Sequence, residues 1–143
     1  MGVGTKMDID LQWGGYYASK EEGEDVYGVF RLLDFNRYAY QAALFKEKFA
    51  AVPTLEDVLG LSPFIGHAPI DSRALVRGRE IHLLGGPVLV EADLEGYRIY
   101  LEHHEMPEQE IRELFQSIIG FGSEPPMPIR LTLVDGELEI ADR

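Results

Sequence analysis

The chain of 143 residues contains no cysteine. It therefore forms no disulfide framework, no thiolate zinc site and no iron–sulfur cluster, and it has no thiol to serve as a catalytic nucleophile. The absence of cysteine fits the reducing cytosol. A function that depends on cysteine chemistry is excluded.

Long apolar segments are also missing. No apolar run approaches the roughly 18 residues that a membrane span requires. The N-terminal sequence MGVGTKMDIDLQW lacks the apolar core of a signal peptide. We therefore expect a soluble cytoplasmic protein that does not associate with membranes. Residues 1–7 are interpreted as a flexible leader, with Met7 as an alternative start.

Basic residues are scarce, since 13 lysines and arginines face 25 acidic residues and give a formal net charge of −12. Residues 1–30 carry −4, residues 31–79 carry +2 and residues 80–143 carry −10. A field of this sign repels phosphate backbones, so nucleic acid is not an expected partner. The acidic excess either serves solubility or forms a surface that binds a basic protein partner.

The length and composition predict one globular domain, residues 1–143. A chain of this size buries roughly two thirds of the surface that its unfolded form exposes. The hydrophobic content of 45% is that of an ordinary folded protein. No internal repeat, low-complexity segment or long linker divides the chain.

Several segments have the pattern of β-strands. Apolar and polar residues alternate over Asp8–Trp13, which predicts a half-buried strand. Residues 26–34 are apolar on both faces and predict a central strand, and residues 79–84 (REIHLL) predict another. Asp135-Gly136 lies between two alternating segments, which predicts a C-terminal β-hairpin over residues 129–140.

Residues 36–53, NRYAYQAALFKEKFAAVP, fit two structures. Aromatic and aliphatic residues alternate at the start of the segment, as in a strand. Other apolar positions recur at helical spacing, namely Tyr38, Ala42, Phe45 and Phe49. The alanine, lysine and glutamate content favours a helix. A helix is therefore predicted, with a strand as the alternative.

Further helices are predicted by capping residues and apolar spacing. Thr54 and Asp57 form a capping-box pattern that opens a short helix. Residues 69–78, PIDSRALVRG, predict a helix closed by a glycine. Two amphipathic helices follow, over residues 91–105 and from Pro107 onward. The fold class is α+β: a single domain with a mainly antiparallel sheet, N-terminal strands, a C-terminal β-hairpin and several helices between them.

Motifs that mark enzyme families are absent from the sequence. It contains no G-x-x-x-x-G-K-[ST], no G-x-G-x-x-G after a strand, no G-x-S-x-G and no H-E-x-x-H. No cofactor and no catalytic residue is predicted. The expected function is therefore a noncatalytic protein-binding or regulatory module, and two alternatives depend on histidines.

The first alternative is a small-molecule or anion-binding domain, or an enzyme, with its site at His67. Residues 62–73, SPFIGHAPIDSR, put this histidine in a predicted loop just before a helix start. The unpaired N–H groups of that helix, with Arg73 and Arg77 nearby, would receive an anion. Asp71 would satisfy the same potential, and the arginines would then be ordinary surface residues.

The second alternative is a metal-dependent enzyme that uses His103 and His104, within YLEHHEMPEQE. Adjacent helical residues point about 100° apart, so one helix cannot direct both at a single ion. Pro107 is expected to end the helix near Glu105. We therefore predict no metal site here. One histidine is expected to pack on the helix face that carries Tyr97 and the other to be exposed.

Overall fold

The computed structural model of the protein describes residues 6–20, 23, 25–35, 39–71, 80–121, 129–134 and 137–142. Within them the strands are β1 Lys6–Asp10, β2 Tyr16–Lys20, β3 Gly28–Phe35, β4 Ala39–Leu44, β5 Ile65–Asp71, β6 Glu80–Gly85, β7 Ile129–Val134 and β8 Glu137–Asp142. The α-helices are α1 Leu55–Leu59, α2 Glu95–His103 and α3 Glu108–Phe121. A 3-10 turn, Glu91–Leu94, leads directly into α2. These elements establish the α+β class.

The main sheet has five antiparallel strands in the order β5-β4-β3-β2-β6. The prediction that residues 26–34 contain the central strand is confirmed, because β3 lies in the middle of this order. The strand β6 corresponds to the predicted strand over residues 79–84. A second antiparallel sheet has the order β1-β7-β8. The predicted turn Asp135-Gly136 lies outside the described residues, so the C-terminal hairpin stays a prediction.

The main sheet is covered on both faces. Successive residues of a strand point to opposite faces, so Tyr16 and Tyr17 enter different cores. Tyr17 stacks on Phe30 with 5.1 Å between ring centroids, and this core includes buried residues of α2 and α3. Tyr16 belongs to a smaller core with Val58 of α1. Helices α2 and α3 thus cover one face, and α1 covers part of the other.

Three helix predictions are confirmed. Thr54 caps α1 in a capping box with Asp57, with bonds of 3.2 Å and 2.9 Å in the two directions. The helix predicted over residues 91–105 is present as the 3-10 turn followed by α2, and the helix predicted from Pro107 is α3. Glu105 has a φ of 62° in the bend between them. The proline therefore separates two helices, as its missing N–H requires.

The helix prediction for residues 36–53 is wrong where the structure describes the segment. Residues 39–44 form β4, which pairs with β3 on one side and β5 on the other. Tyr40, Ala42 and Ala43 are all buried. A strand inside a sheet with both faces covered needs small and apolar residues on both sides, and this tertiary pairing outweighs helix propensity. Residues 36–38 lie outside the described part.

The predicted loop at His67 and the helix start predicted at Pro69 are also wrong, because β5 runs from Ile65 to Asp71. β5 is an edge strand, and proline is tolerated there because only one side of the strand must donate to a ladder. His67 consequently lies in a strand and not in a loop, and no helix begins at Pro69. The remainder of that predicted helix, residues 72–78, lies outside the described residues.

The structure describes only part of the N-terminal segment, for which a leader and a strand are predicted. Residues 1–5, most of the predicted leader, fall outside the described ranges, and β1 begins at Lys6. β1 ends at Asp10, and the chain then turns so that Leu11 and Trp13 are buried without belonging to a strand. In the part of the chain that the structure describes, no helix combines the length and the apolar character needed to span a membrane.

Candidate functional site

A groove of about 700 Å³ opens on the face of the main sheet that α1 partly covers. We call it the α1-side groove. Its floor is formed by β2, β3 and β4 and by the residue that follows β4, and it consists of Tyr16, Arg31, Leu33, Ala43 and Phe45. The floor is apolar except for the guanidinium group of Arg31. It exists because the short helix α1 covers only part of this face of the sheet.

Two chain segments form the walls of the α1-side groove. The first wall runs from the end of α1 to β5 and includes Leu59, Leu61, Pro63 and Gly66. The second runs from Pro87 through the 3-10 turn to the first residues of α2, and its lining residues are Pro87, Val88, Val90, Ala92, Asp93, Glu95 and Gly96. Leu59 is 47% exposed, Val88 44% and Val90 55%. Both walls therefore present large apolar side chains to solvent.

Arg31 connects the floor to the second wall. Its Nε donates to the Gly14 carbonyl oxygen at 2.9 Å, and its Nη2 donates to the Pro87 carbonyl oxygen at 2.9 Å. Nη1 lies 3.3 Å from Asp93 Oδ1, and the guanidinium carbon lies 4.9 Å from the ring centre of Tyr16. Arg31 is only 7% exposed. A buried cation with these partners holds the wall against the sheet.

Two acidic side chains lie on the second wall. Asp93 uses one carboxylate oxygen for Arg31 and accepts the Val90 N–H on the other at 3.0 Å, which caps the 3-10 turn. Glu95, at the start of α2, is exposed. Among the described residues that line the groove, Asp93 and Glu95 are acidic and Arg31 is basic, so their formal charges sum to −1.

Two glycines allow Pro87 to reach Arg31. Gly14 has a φ of +79°, a backbone conformation that favours glycine. A Cβ atom on Gly86 would collide with the carbonyl oxygen of Gly14. The two backbones can therefore approach closely only because neither residue carries a side chain.

His67 lies at the far end of the first wall, in contact with α2. The centre of its ring lies 5.2 Å from the ring centre of Tyr97, on which it stacks, and 4.7 Å from the ring centre of Tyr100. Its Nε2 lies 2.6 Å from Gln41 Oε1. A Cβ atom on Gly96 would be 3.0 Å from the His67 Cβ, so this glycine permits close approach of α2 to β5. Burial lowers the pKa of His67. These contacts make the histidine a link between β5 and α2.

The predicted anion site combined His67 with Arg73 and Arg77. Both arginines lie outside the described residues, so their proximity to the histidine stays a prediction. His67 itself is surrounded by Tyr97, Tyr100 and Gln41, which occupy its ring faces and one ring nitrogen.

Asp34 carries a buried carboxylate on the opposite face of the sheet. Its Oδ2 accepts the Tyr97 hydroxyl at 2.8 Å, and its Oδ1 accepts Trp13 Nε1 at 3.3 Å and the Phe35 N–H at 2.8 Å. Burial raises the pKa of Asp34 despite these three donors. Burial and the nearby carboxylate raise the pKa of Tyr97 well above its ordinary value. The Asp34 side chain therefore tethers α2 to the sheet, but its ionised form is less favourable for the fold than its neutral form because it is buried.

Replacing Asp34 with asparagine is expected to change the pH dependence of stability. Because the pKa of the Asp34 carboxyl is higher in the folded protein than in the unfolded chain, its protonated form stabilises the fold. This contribution is complete below the unfolded-state pKa of about 3.9, and it is lost as the pH rises from there through the folded-state pKa. Asp34→Asn should therefore be more stable than the wild type at about pH 7, and the difference should vanish near pH 3. Thermal unfolding across this range measures it, with Glu102→Gln as an exposed control. A variant that is less stable at every pH contradicts the assignment.

The adjacent histidines lie where α2 ends. His103 is the last helical residue and His104 caps the helix, and both are exposed. The ring of His104 lies 4.4 Å from that of Tyr100, which itself lies 6.3 Å from the ring of Tyr97. Within the described ranges, no three His, Asp or Glu side chains are arranged to hold a metal ion. That His103 and His104 form no metal site stays a prediction.

The α1-side groove is not predicted from the sequence. One feature of the sequence indicates it: Arg31 interrupts the apolar segment VFRLLDF, and a charged residue in a central strand is seldom buried without a partner. The partners themselves, Pro87 and Asp93, are more than fifty residues away in the chain. Their proximity follows from the pairing of β2 with β6 and is not visible in the local sequence.

Comparisons of the chain with protein-family models, with curated proteins and with solved structures find no match.

Proposed function

We propose that the protein is a noncatalytic, cytoplasmic binding module that receives a segment of a basic protein partner in the α1-side groove. The observation that carries this proposal is the combination of exposed apolar walls with an acidic margin at Asp93 and Glu95. Neither feature alone is unusual on a protein surface. Together they define the chemistry of an occupant that is apolar and cationic.

The apolar part of the argument concerns Leu59, Val88 and Val90. About half of each side chain is exposed, and all three line the same groove. Scattered exposed aliphatic residues are ordinary, but a group that lines a concavity marks a binding surface. Covering such side chains contributes roughly 25 cal/mol for each Å² of apolar surface. An occupant with aliphatic or aromatic side chains would gain this contribution.

The electrostatic part concerns the sign of the charge. The described residues that line the groove have an excess of one negative charge, and the second wall belongs to the section of the chain, residues 80–143, that carries −10. Complementary charge accelerates association and suppresses partners of the wrong sign. A basic protein segment is therefore favoured over a nucleic acid or another acidic protein.

Two alternative functions have less support. The half-buried imidazole of His67 already contacts Tyr97, Tyr100 and Gln41, so an enzyme or small-molecule site there would have to use the part of the ring that stays exposed. A metal-dependent enzyme at His103 and His104 would need further ligands close to the end of α2. The α1-side groove needs no rearrangement to receive an occupant, and we favour it for this reason.

We also propose that residues 1–143 form a single domain with a C-terminal hairpin over residues 129–140. Membranes and nucleic acids are not expected to be partners. The described residues that line the groove lie between Tyr16 and Gly96, and none of them belongs to the predicted hairpin.

A selection from a library of random linear peptides, followed by calorimetric titration of a selected peptide, tests the proposal. We expect selected peptides to combine lysine or arginine with apolar residues, and their association to slow as salt is raised. Val90→Asp should weaken binding by about tenfold or more, because it puts a charge in the apolar wall. The matched control is Ile99→Asp, since Ile99 is 50% exposed on α2 but does not line the groove. Equal losses in both variants, or selection of acidic peptides, would contradict the proposal.

A further inference from the structure

We infer that the α1-side groove binds one basic side chain of its occupant between Asp93 and Glu95, and that Arg31 limits this subsite to a single cation. The inference rests on the proposed function and specifies how the partner is recognised. It follows from the charges that line the groove, from the geometry of the Arg31–Asp93 pair and from the position of the apolar walls.

The Asp93 carboxylate is only partly used by Arg31. The distance of 3.3 Å between Nη1 and Oδ1 is longer than the roughly 2.7–2.9 Å of a strong charge-assisted hydrogen bond. Arg31 has two shorter bonds, to the carbonyl oxygens of Gly14 and Pro87, and it stacks on Tyr16. The arginine therefore stays in position when Asp93 also accepts a hydrogen bond from a second cation.

The net charge of the α1-side groove limits the number of basic side chains that it can bind. Asp93 and Glu95 together supply two negative charges, and the buried guanidinium compensates one. One lysine or arginine side chain would neutralise the groove. A second would leave an uncompensated positive charge next to a buried cation, where repulsion is less screened than in water. The groove therefore selects a segment with one basic residue at this position and not an extended basic tract.

The apolar walls define what must be next to that basic residue. Val90 lies just before the 3-10 turn that contains Asp93, and Leu59 lies on the opposite wall. A basic side chain at Asp93 and Glu95 thus brings the neighbouring residues of the occupant against aliphatic side chains. The expected recognition sequence is one lysine or arginine flanked by apolar residues.

A charge-swap experiment tests the inference. The probe is a synthetic peptide chosen by the selection described above, and its partner is the same peptide with its basic residue replaced by glutamate. Glu95→Lys should weaken binding of the basic peptide by about fivefold, the effect of one partly exposed ion pair. The glutamate peptide should bind Glu95→Lys more tightly than it binds the wild type. Glu102→Lys, which alters an exposed acid of α2 that does not line the groove, is the matched control.

The outcomes separate this inference from the proposed function. If no selected peptide binds, or if Val90→Asp leaves binding unchanged, the proposed function fails. If Val90→Asp abolishes binding but Glu95→Lys and Glu102→Lys have the same effect, the groove binds peptides and the cation subsite is wrong. Preference of the wild type for the glutamate peptide would contradict the inference and identify Arg31 as an anchor for anions. Unchanged thermal unfolding of Glu95→Lys shows that the loss is not caused by unfolding.

Discussion

Replacement of Arg31 by methionine is expected to lower the free energy of unfolding by about 3 kcal/mol, because hydrogen bonds from a charged donor contribute roughly 1.5–3 kcal/mol each. Methionine fills a similar volume but donates to neither Gly14 nor Pro87, and it leaves Asp93 without its cation. The Gly14 carbonyl oxygen would lose this donor in a buried position, which costs more than the loss of an exposed bond, whereas Asp93 is 31% exposed and stays in contact with solvent.

Urea unfolding measures this effect. Arg112→Met is the matched control, because Arg112 on α3 is 57% exposed and its nearest acidic oxygen, on Glu108, is 3.7 Å away. The control should change stability by no more than about 0.5 kcal/mol. We also expect Arg31→Met to weaken peptide binding, since the second wall loses its attachment to the floor. A variant as stable as the control would show that Arg31 does not hold the wall.

Replacement of Gly86 by alanine is expected to destabilise the protein by about 2 kcal/mol, within the range for overpacking in a tightly packed region. The added methyl group would collide with the backbone oxygen of Gly14 and lie 3.2 Å from the Tyr16 ring. The obstacle is backbone, so it cannot be relieved by a rotamer change. The two chain segments that contain Gly14 and Pro87 would have to separate, and the bonds of Arg31 would lengthen.

Gly120→Ala is the control for this substitution. Gly120 lies in α3 with no atom of the described residues within 4 Å of an added Cβ. Alanine is the better helix former by roughly 0.8–1 kcal/mol, so the control should be as stable as the wild type or more stable. Thermal unfolding of the two variants therefore separates a steric effect from the general effect of losing a glycine. Destabilisation of both by the same amount would contradict the close approach of the two backbones.

Sequence patterns predicted the elements whose determinants are local. The capping residues Thr54 and Asp57 lie three positions apart, and the break at Pro107 depends on a single missing N–H group. The apolar segment that becomes β3 is recognisable because both faces of a central strand are covered. In the first two cases the interactions that decide the structure are between residues close together in the chain, and in the third the composition of the segment itself indicates burial on both faces.

Local patterns failed where distant pairing decides the structure. Residues 39–44 have a composition that suits a helix, but β3 and β5 are available on both sides and turn the segment into a strand. Pro69 suggested a break, yet it is accommodated because β5 has a neighbour on one side only. The same limit applies to the site, since Arg31, Pro87 and Asp93 meet only after β2 has paired with both β3 and β6.

The sequence predicts candidate sites at histidines because imidazole is chemically versatile, and these candidates are His67, His103 and His104. In the structure His67 contacts two tyrosines and a glutamine, and His104 lies on Tyr100. The α1-side groove is instead lined mainly by aliphatic and aromatic residues, with one arginine and two acids among the described lining residues. Such residues have no motif, and only their arrangement in three dimensions identifies them.

The most direct measurement of the central claim is the set of intermolecular NOEs between a selected basic peptide and the methyl groups of the protein. The proposed function predicts contacts from the peptide to Leu59, Val88 and Val90 and none to Ile99. Contacts confined to Ile99 and the outer surface of α2, with no contact to either wall of the α1-side groove, would contradict it.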